Sequence, residues 1–219
     1  MNIKLRSGTP ADAEICGTIC YDAFKRISEA HGFAPDFPAR EVAIDVLTRM
    51  LANPKFYSVV AECDGRIVGS NFLDERNRIA GVGPITVDPT VQNRAIGRRL
   101  TDAVHERAAE RNFAGVRLIQ FGFHTRSLSL YAKLGYDVRE HLACMQGNAV
   151  GISIEGHVAR PATEADINNC NRLLPASARS QSRWRVERCH RAGFRDRCRA
   201  RQANYGLRHC GWLFWPRRG

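Results

Sequence analysis

Apolar and polar positions alternate along this chain in a way that divides it into short segments of distinct type. Residues 3–8, IKLRSG, alternate as a half-buried strand does. Thr9 then stands as a helix N-cap, with Pro10 at the first helical position and Asp12 at the third. Ile15, Ile19, Ala23 and Ile27 follow at helical spacing and predict a helix that stops near Gly32. A second helix is predicted from Pro38 to Leu51, with Val42, Ile44, Val46, Leu47 and Leu51 turned inward. The period then changes to two. FYSVVAEC and RIVGSNFL flank Asp64-Gly65, a dipeptide suited to the tight turn of a hairpin. GVGPITVD predicts a further strand, followed at once by an arginine-rich helix. GVRLIQFGF reads as a strand, SLSLYAKLG as a short helix ended by Gly135, and YDVREHLACMQ as a last strand. Strand, two helices, three strands, helix, strand, helix, strand is the order expected within residues 1–147. It describes one α/β domain with a mixed sheet and helices on both faces.

A second opening follows. RSGTPADAEIC (6–16) and RPATEADINNC (160–170) agree at Arg6/Arg160, Thr9/Thr163, Ala11/Ala165, Asp12/Asp166 and Cys16/Cys170, always 154 residues apart. A Thr-x-x-Asp cap is generic, but an arginine, a cap and a cysteine at one offset point to duplication. The domain expectations are a complete domain over 1–147, a linker over 148–159 and the opening of a second copy over 160–174. Cys16 and Cys20, four apart on the predicted helix, read as buried thiols.

Charge changes the picture only at the C-terminal end. The formal net charge is +11. Residues 175–219 contain twelve arginines against Glu187 and Asp196, so +10 of it lies there. Trp184, Trp212 and Trp215 lie there too. Three readings compete for this tail. Its arginines and tryptophans suit nucleic acid; its cysteines and histidines match no usual zinc spacing; and shifting the codon frame restores phrases resembling the first domain. The last is the reading adopted: an aberrant segment without order or function of its own, nucleic acid not being an expected partner. No apolar run is long enough to span a bilayer, and MNIKLRSGTPADAE lacks the apolar stretch of a secretion signal, so a cytoplasmic protein is expected.

The candidate chemistry begins at ITVDPTVQNRAIGRRL, residues 85–100. A strand hands over to a helix there through a short basic turn. A helix N-terminus offers unpaired N–H groups and about half a positive charge, so the expected ligand is an anion such as phosphate. Ala95 and Gly97 leave the backbone accessible; Gln92, Arg94, Arg98 and Arg99 add donors and charge.

The stretch HTRSLSLYAKLGYDV, residues 124–138, resembles the second signature of the GNAT-type N-acetyltransferases, and Gln92-Asn93-Arg94-Ala95-Ile96-Gly97 resembles the first. The resemblance covers nearly all of residues 1–147. It implies the GNAT fold and acetyl-CoA as co-substrate, with no metal. The pyrophosphate is expected on the amides of Gln92, Asn93, Arg94, Ala95, Ile96, Gly97 and Arg98, and the pantetheine arm beside Ile85 and Val87. Tyr131 matches the tyrosine that protonates the departing thiolate. Ala95 departs from the usual glycine and, as a residue suited to a first helical turn, is expected at worst to weaken donor binding. His124 departs from the usual asparagine and can donate to the cofactor or act as a base. Asp74 and Glu75, ending GSNFLDE, are the carboxylates expected nearest the acceptor amine. The acceptor, a small molecule or peptide amine, is expected between the helix pair and HGFAPDF (31–37). A homodimer is among the expected assemblies. The alternatives are a non-catalytic acyl-CoA-binding module and a nucleic-acid binder acting through its tail.

Overall fold

Strand β1 (Ile3–Ser7) is followed by a 3-10 turn (Pro10–Asp12) and helix α1 (Ala13–Ala30), then by α2 (Arg40–Leu51). The computed structural model describes residues 2–143, 151–158, 160–173 and 210–216. The turn forms because Thr9 and Asp12 complete a capping box with Pro10 at its start. Asp12 has a second partner. The Arg6 guanidinium donates from Nη1 and Nη2 to its two carboxylate oxygens, both at 2.8 Å, and from Nε to Glu62 at 2.6 Å. This bidentate pair ties β1 to the start of α1.

α1 buries Cys16, Ile19 and Cys20, so both thiols are core residues. Ile15, expected on the inner face, is 48% exposed; the buried stripe is rotated by one position. Gly17 sets it. A Cβ there would lie 2.5 Å from Ile44 Cα, so the two helices meet backbone to backbone only because position 17 has no side chain. α2 begins two residues later than expected and buries Ala43 and Leu47.

Strands β2 (Phe56–Cys63) and β3 (Arg66–Asp74) form the expected hairpin, with Asp64 and Gly65 both at positive φ. The segment expected as one strand, GVGPITVD, is two: β4 (Ile79–Val82) and β5 (Thr86–Val87). Gly83, at φ +117, followed by Pro84, which has no N–H, interrupts the ladder. α3 (Ile96–Glu110) packs Ile96, Leu100, Val104 and Ala108 onto the sheet at every fourth position. Then come β6 (Gly115–Phe121), α4 (Thr125–Lys133) and β7 (Tyr136–Ala143).

With a last strand, β8 (Cys210–Pro216), the sheet order is β1-β2-β3-β4-β6-β8-β7, with β5 on β3. Strand β8 pairs antiparallel with both β6 and β7. The rest of 175–219, and with it the expectation of an aberrant, disordered tail and the frame question, lies outside the described residues. The chain divides into two units, Met1–Cys144 with Arg208–Gly219, and Met145–Leu207. Within the second, Arg160 donates from Nη1 and Nη2 to Asp166 at 2.8 and 2.6 Å, and Thr163 completes a capping box with Asp166. Helix α5 (Ile167–Leu173) follows. The repeated letters thus make the same atomic pattern as Arg6, Thr9 and Asp12. No described helix is long and apolar enough to cross a membrane.

The Arg6 pair also makes a pH prediction. Arg6 lowers the Asp12 carboxyl from 3.8 to about 2, so its stabilisation is present above pH 4 and lost as pH falls through 2. Replacement Asp12→Asn should cost about 1–3 kcal/mol at neutral pH and flatten the acid side of a urea-denaturation series between pH 4 and 2.

Candidate functional site

Two neighbouring strands define the site by separating. β4 pairs parallel with β6 from Ile79↔Gly115 to Gly81↔Arg117. Beyond that point β5 turns to β3, with Gly69↔Val87 and Ser70↔Thr86, and no described strand covers its other edge. Close pairing with β3 requires Gly69, where a Cβ would meet the Thr86 carbonyl at 2.6 Å. The V-shaped gap opens into a cavity of about 590 Å³. Its walls are 82–87, the α3 N-terminus, the end of β6, one face of α4 and the second half of α1.

At one end lies the basic turn. Asn93 and Ala95 both adopt left-handed backbone, φ +68 and +59. No side chain caps α3, so Ile96, Gly97 and Arg98 keep the free amides of a first helical turn. This corrects the reading of Ala95. It is the N-cap, at positive φ, and not a first-turn residue; glycine suits the position because of backbone conformation. A Cβ at Gly97 would make only ordinary contacts, 3.6 Å from Leu130 and 3.9 Å from Val87. Gln92 is a brace: its Nε2 donates to the Val87 carbonyl at 3.0 Å, and its Oε1 accepts from Arg126. Arg126 also donates to Asn93 Oδ1 at 3.4 Å. The brace joins β5, the turn and α4, and sequence reading missed it because its members lie 34 residues apart. Ile85, Val87, Gln92, Asn93, Ala95, Ile96, Gly97 and Arg98 all line the cavity; Arg94 does not, and Arg99 turns away to donate to the Ile3 carbonyl.

His124, Ser127 and Tyr131 line the cavity from α4 and its N-cap. Their spacing of three and four places them on one helical face. Tyr131 is 8% exposed. Burial raises its hydroxyl above the ordinary tyrosine range, so the phenol keeps its proton at neutral pH. Its ring lies 5.7 Å from that of Tyr136, whose hydroxyl meets His105 Nε2 at 2.6 Å. His124 is pushed the other way: burial, then Arg126 and His31, lower it from 6.5 to about 4, so its ring is neutral at physiological pH. Phe24 and Phe121 meet edge to face at the α1 end, 6.5 Å apart, and Phe121 stacks on Phe123 at 5.1 Å. The 31–37 segment joins this aromatic cluster: Phe33 stacks on Phe123 and Phe37 meets Phe24.

Asp74 and Glu75 fall outside the lining. Asp74 is held by Arg76, and Glu75 accepts from Arg107 Nε at 2.7 Å. Arg107 lies ten residues past Gly97 on α3, about 15 Å along the helix axis. Glu75 is thus held toward the far end of α3, whereas Asp74 pairs with Gly81, the last β4 residue paired with β6 before the strands part. Among the described residues no cluster of three or more His, Cys, Asp or Glu could hold a metal.

Residues 54–138 match the family model of the acetyltransferase (GNAT) domain. Similar folds include the PaiA N-acetyltransferase of Thermoplasma acidophilum, solved with coenzyme A: 18% identity, TM-score 0.55, 64% of this chain and 92% of that one. A GNAT-superfamily phosphinothricin acetyltransferase from Sinorhizobium meliloti, solved with acetyl-CoA, aligns at 19% identity and TM-score 0.54, covering 65% and 79%. A GNAT-family acetyltransferase from Staphylococcus aureus aligns at 18% and 0.53, covering 64% and 87%. No curated protein matches the chain in sequence.

A left-handed alanine costs about 1 kcal/mol relative to glycine. Ala95→Gly should therefore raise unfolding stability by about 0.5–1 kcal/mol in urea titrations without altering the fold, whereas Ala95→Val should lower it.

Proposed function

We propose, from the match of residues 54–138 to the acetyltransferase (GNAT) domain, that the chain transfers the acetyl group of acetyl-CoA to a primary amine, with Tyr131 as general acid. The observation that carries the reading is the meeting, in one cavity, of an uncapped helix N-terminus, an open strand edge and a buried, protonated tyrosine. Two proteins of similar fold were solved with coenzyme A or acetyl-CoA, which supports the choice of donor.

The residues present fit that donor. The free amides of Ile96, Gly97 and Arg98 suit a pyrophosphate, and the missing side chain at 97 lets it approach. Arg98 and Arg126 add positive charge at the same end. The uncovered edge of β5 offers main-chain groups to the amides of the pantetheine arm, which would lie there as an added strand. Acetyl-CoA supplies an activated thioester. The acceptor nitrogen bonds to the acetyl carbon, the carbon–sulfur bond breaks, and the leaving sulfur takes the phenolic proton of Tyr131. Tyr131 performs this role because burial keeps its proton in place until a strong acceptor arrives. The aromatic cluster at the far end suits an acceptor with an apolar body.

Tyr131→Phe should lower kcat by about 10²-fold or more while calorimetry finds acetyl-CoA bound as before; unchanged turnover rules out the general acid. A chain that binds acetyl-CoA yet releases no free thiol with any amine would instead be a binding module. Arg126→Ala, which loosens the Gln92 brace, should weaken acetyl-CoA binding about tenfold in the same titration.

A further inference from the structure

The cavity takes its walls from both faces of the sheet. Val59 and Val60, neighbours on β2, point to opposite faces and belong to separate core clusters. The first cluster contains Leu100 and Val104 of α3 and Tyr131 of α4; the second contains Cys16 and Ile19 of α1 with Leu47 of α2. The amides and charges that suit the donor's pyrophosphate therefore stand on the α3–α4 side. The α1 side of the cavity is left for the acceptor.

That side is apolar and carries one charge. Ala23, Arg26, Ile27 and Ala30 line the cavity, at a spacing of three and four that gathers them on one face of α1. Phe121 of β6 meets Phe24 of α1. Ile119, two residues before Phe121, points to the same side of the sheet; it lines the cavity and is 61% exposed. An apolar ligand body laid on this wall gains by removing it from water. The acids of α1 lie off the lining face, Asp22 paired with Arg40 and Glu29 with Lys25. Arg26 is exposed, and among the described residues no hydrogen bond or ion pair engages it. The lining residues include three arginines and no aspartate, glutamate or lysine. A bare ammonium entering there meets only like charge, whereas an amine that also carries a carboxylate enters without net charge and gives Arg26 a partner. We infer that the acceptor is an amino acid with a large apolar side chain, its carboxylate held by Arg26 and its side chain laid on Phe24, Ile27 and Ile119. The inference rests on the acetyl-transfer reading for the fate of the amine, but not for the binding of the acid.

The test uses the full chain and measures thiol release from acetyl-CoA with phenylalanine and three amines that each lack a feature. Phenethylamine has no carboxylate, glycine has no apolar side chain, and spermidine is a polycation. Phenylalanine should give a kcat/KM about tenfold or more above each of the others. Arg26→Gln should bring the ratio of phenylalanine to phenethylamine close to one. Ile119→Asp, a change at an exposed position, is the second variant and should raise KM for phenylalanine about tenfold. Equal turnover of all four amines, a preference for spermidine, or a loss of acetyl-CoA affinity in Arg26→Gln overturns the inference. Acetylation of some amine but not of phenylalanine also overturns it and leaves the transfer reading standing. If no amine releases thiol, calorimetry of phenylalanine against the chain saturated with coenzyme A separates the two. Binding that Arg26→Gln abolishes keeps the acceptor site while the transfer reading fails, and an absence of heat ends both.

Discussion

A β-strand with one edge that no described strand pairs is the constraint on which the rest of this structure depends. β4 and β6 run together for three residue pairs, then the chain at Gly83-Pro84 breaks the ladder and β5 pairs with β3 alone. Main-chain groups left without partners inside a fold are costly, so the break persists only where something else can meet them. The cavity is the space this separation creates, and every element that contributes chemistry reaches it through the same gap. Gly69 makes the arrangement sterically feasible by letting β3 approach Thr86.

The electrostatics of the gap are divided. At the α3 end, free amides, left-handed turn residues and arginines gather positive charge where an anion can approach. Deeper in, burial acts on neutral groups and moves them in opposite senses, lifting the Tyr131 hydroxyl and depressing His124. The phenol therefore stays protonated and the imidazole neutral near pH 7. The Gln92–Arg126 brace couples the two regions, since Arg126 touches the turn and also lies among the causes of the His124 shift.

The repeated opening teaches a separate lesson. Arg6 and Arg160 each hold an aspartate six residues on through two guanidinium nitrogens, and each aspartate closes a capping box. In the first unit that pattern gains a further partner, Glu62 on β2. In the second, Val158 just before it is 89% exposed. The local geometry is encoded within eleven residues and forms in both settings.

What sequence alone determined is the part governed by short-range rules. Period-two and period-3.6 patterns, the Asp64-Gly65 turn, the Thr9 and Thr163 caps and the basic turn before α3 all depend on residues within a few positions of one another. The two ordered signatures, Gln92–Gly97 and His124–Val138, are local in the same sense and carry the resemblance to the GNAT-type acetyltransferases. Tertiary structure decided what depends on distant approach. The close approach of Gly17 to Ile44 sets the buried face of α1 and leaves Ile15 exposed. An ion pair with Arg107 holds Glu75 toward the far end of α3. The backbone of Ala95 turns left-handed. Gln120, Ser127 and His124 meet because β6 and α4 fold back on each other. Propensity and spacing describe how a segment forms; which side chains share a cavity depends on how strands pair and part.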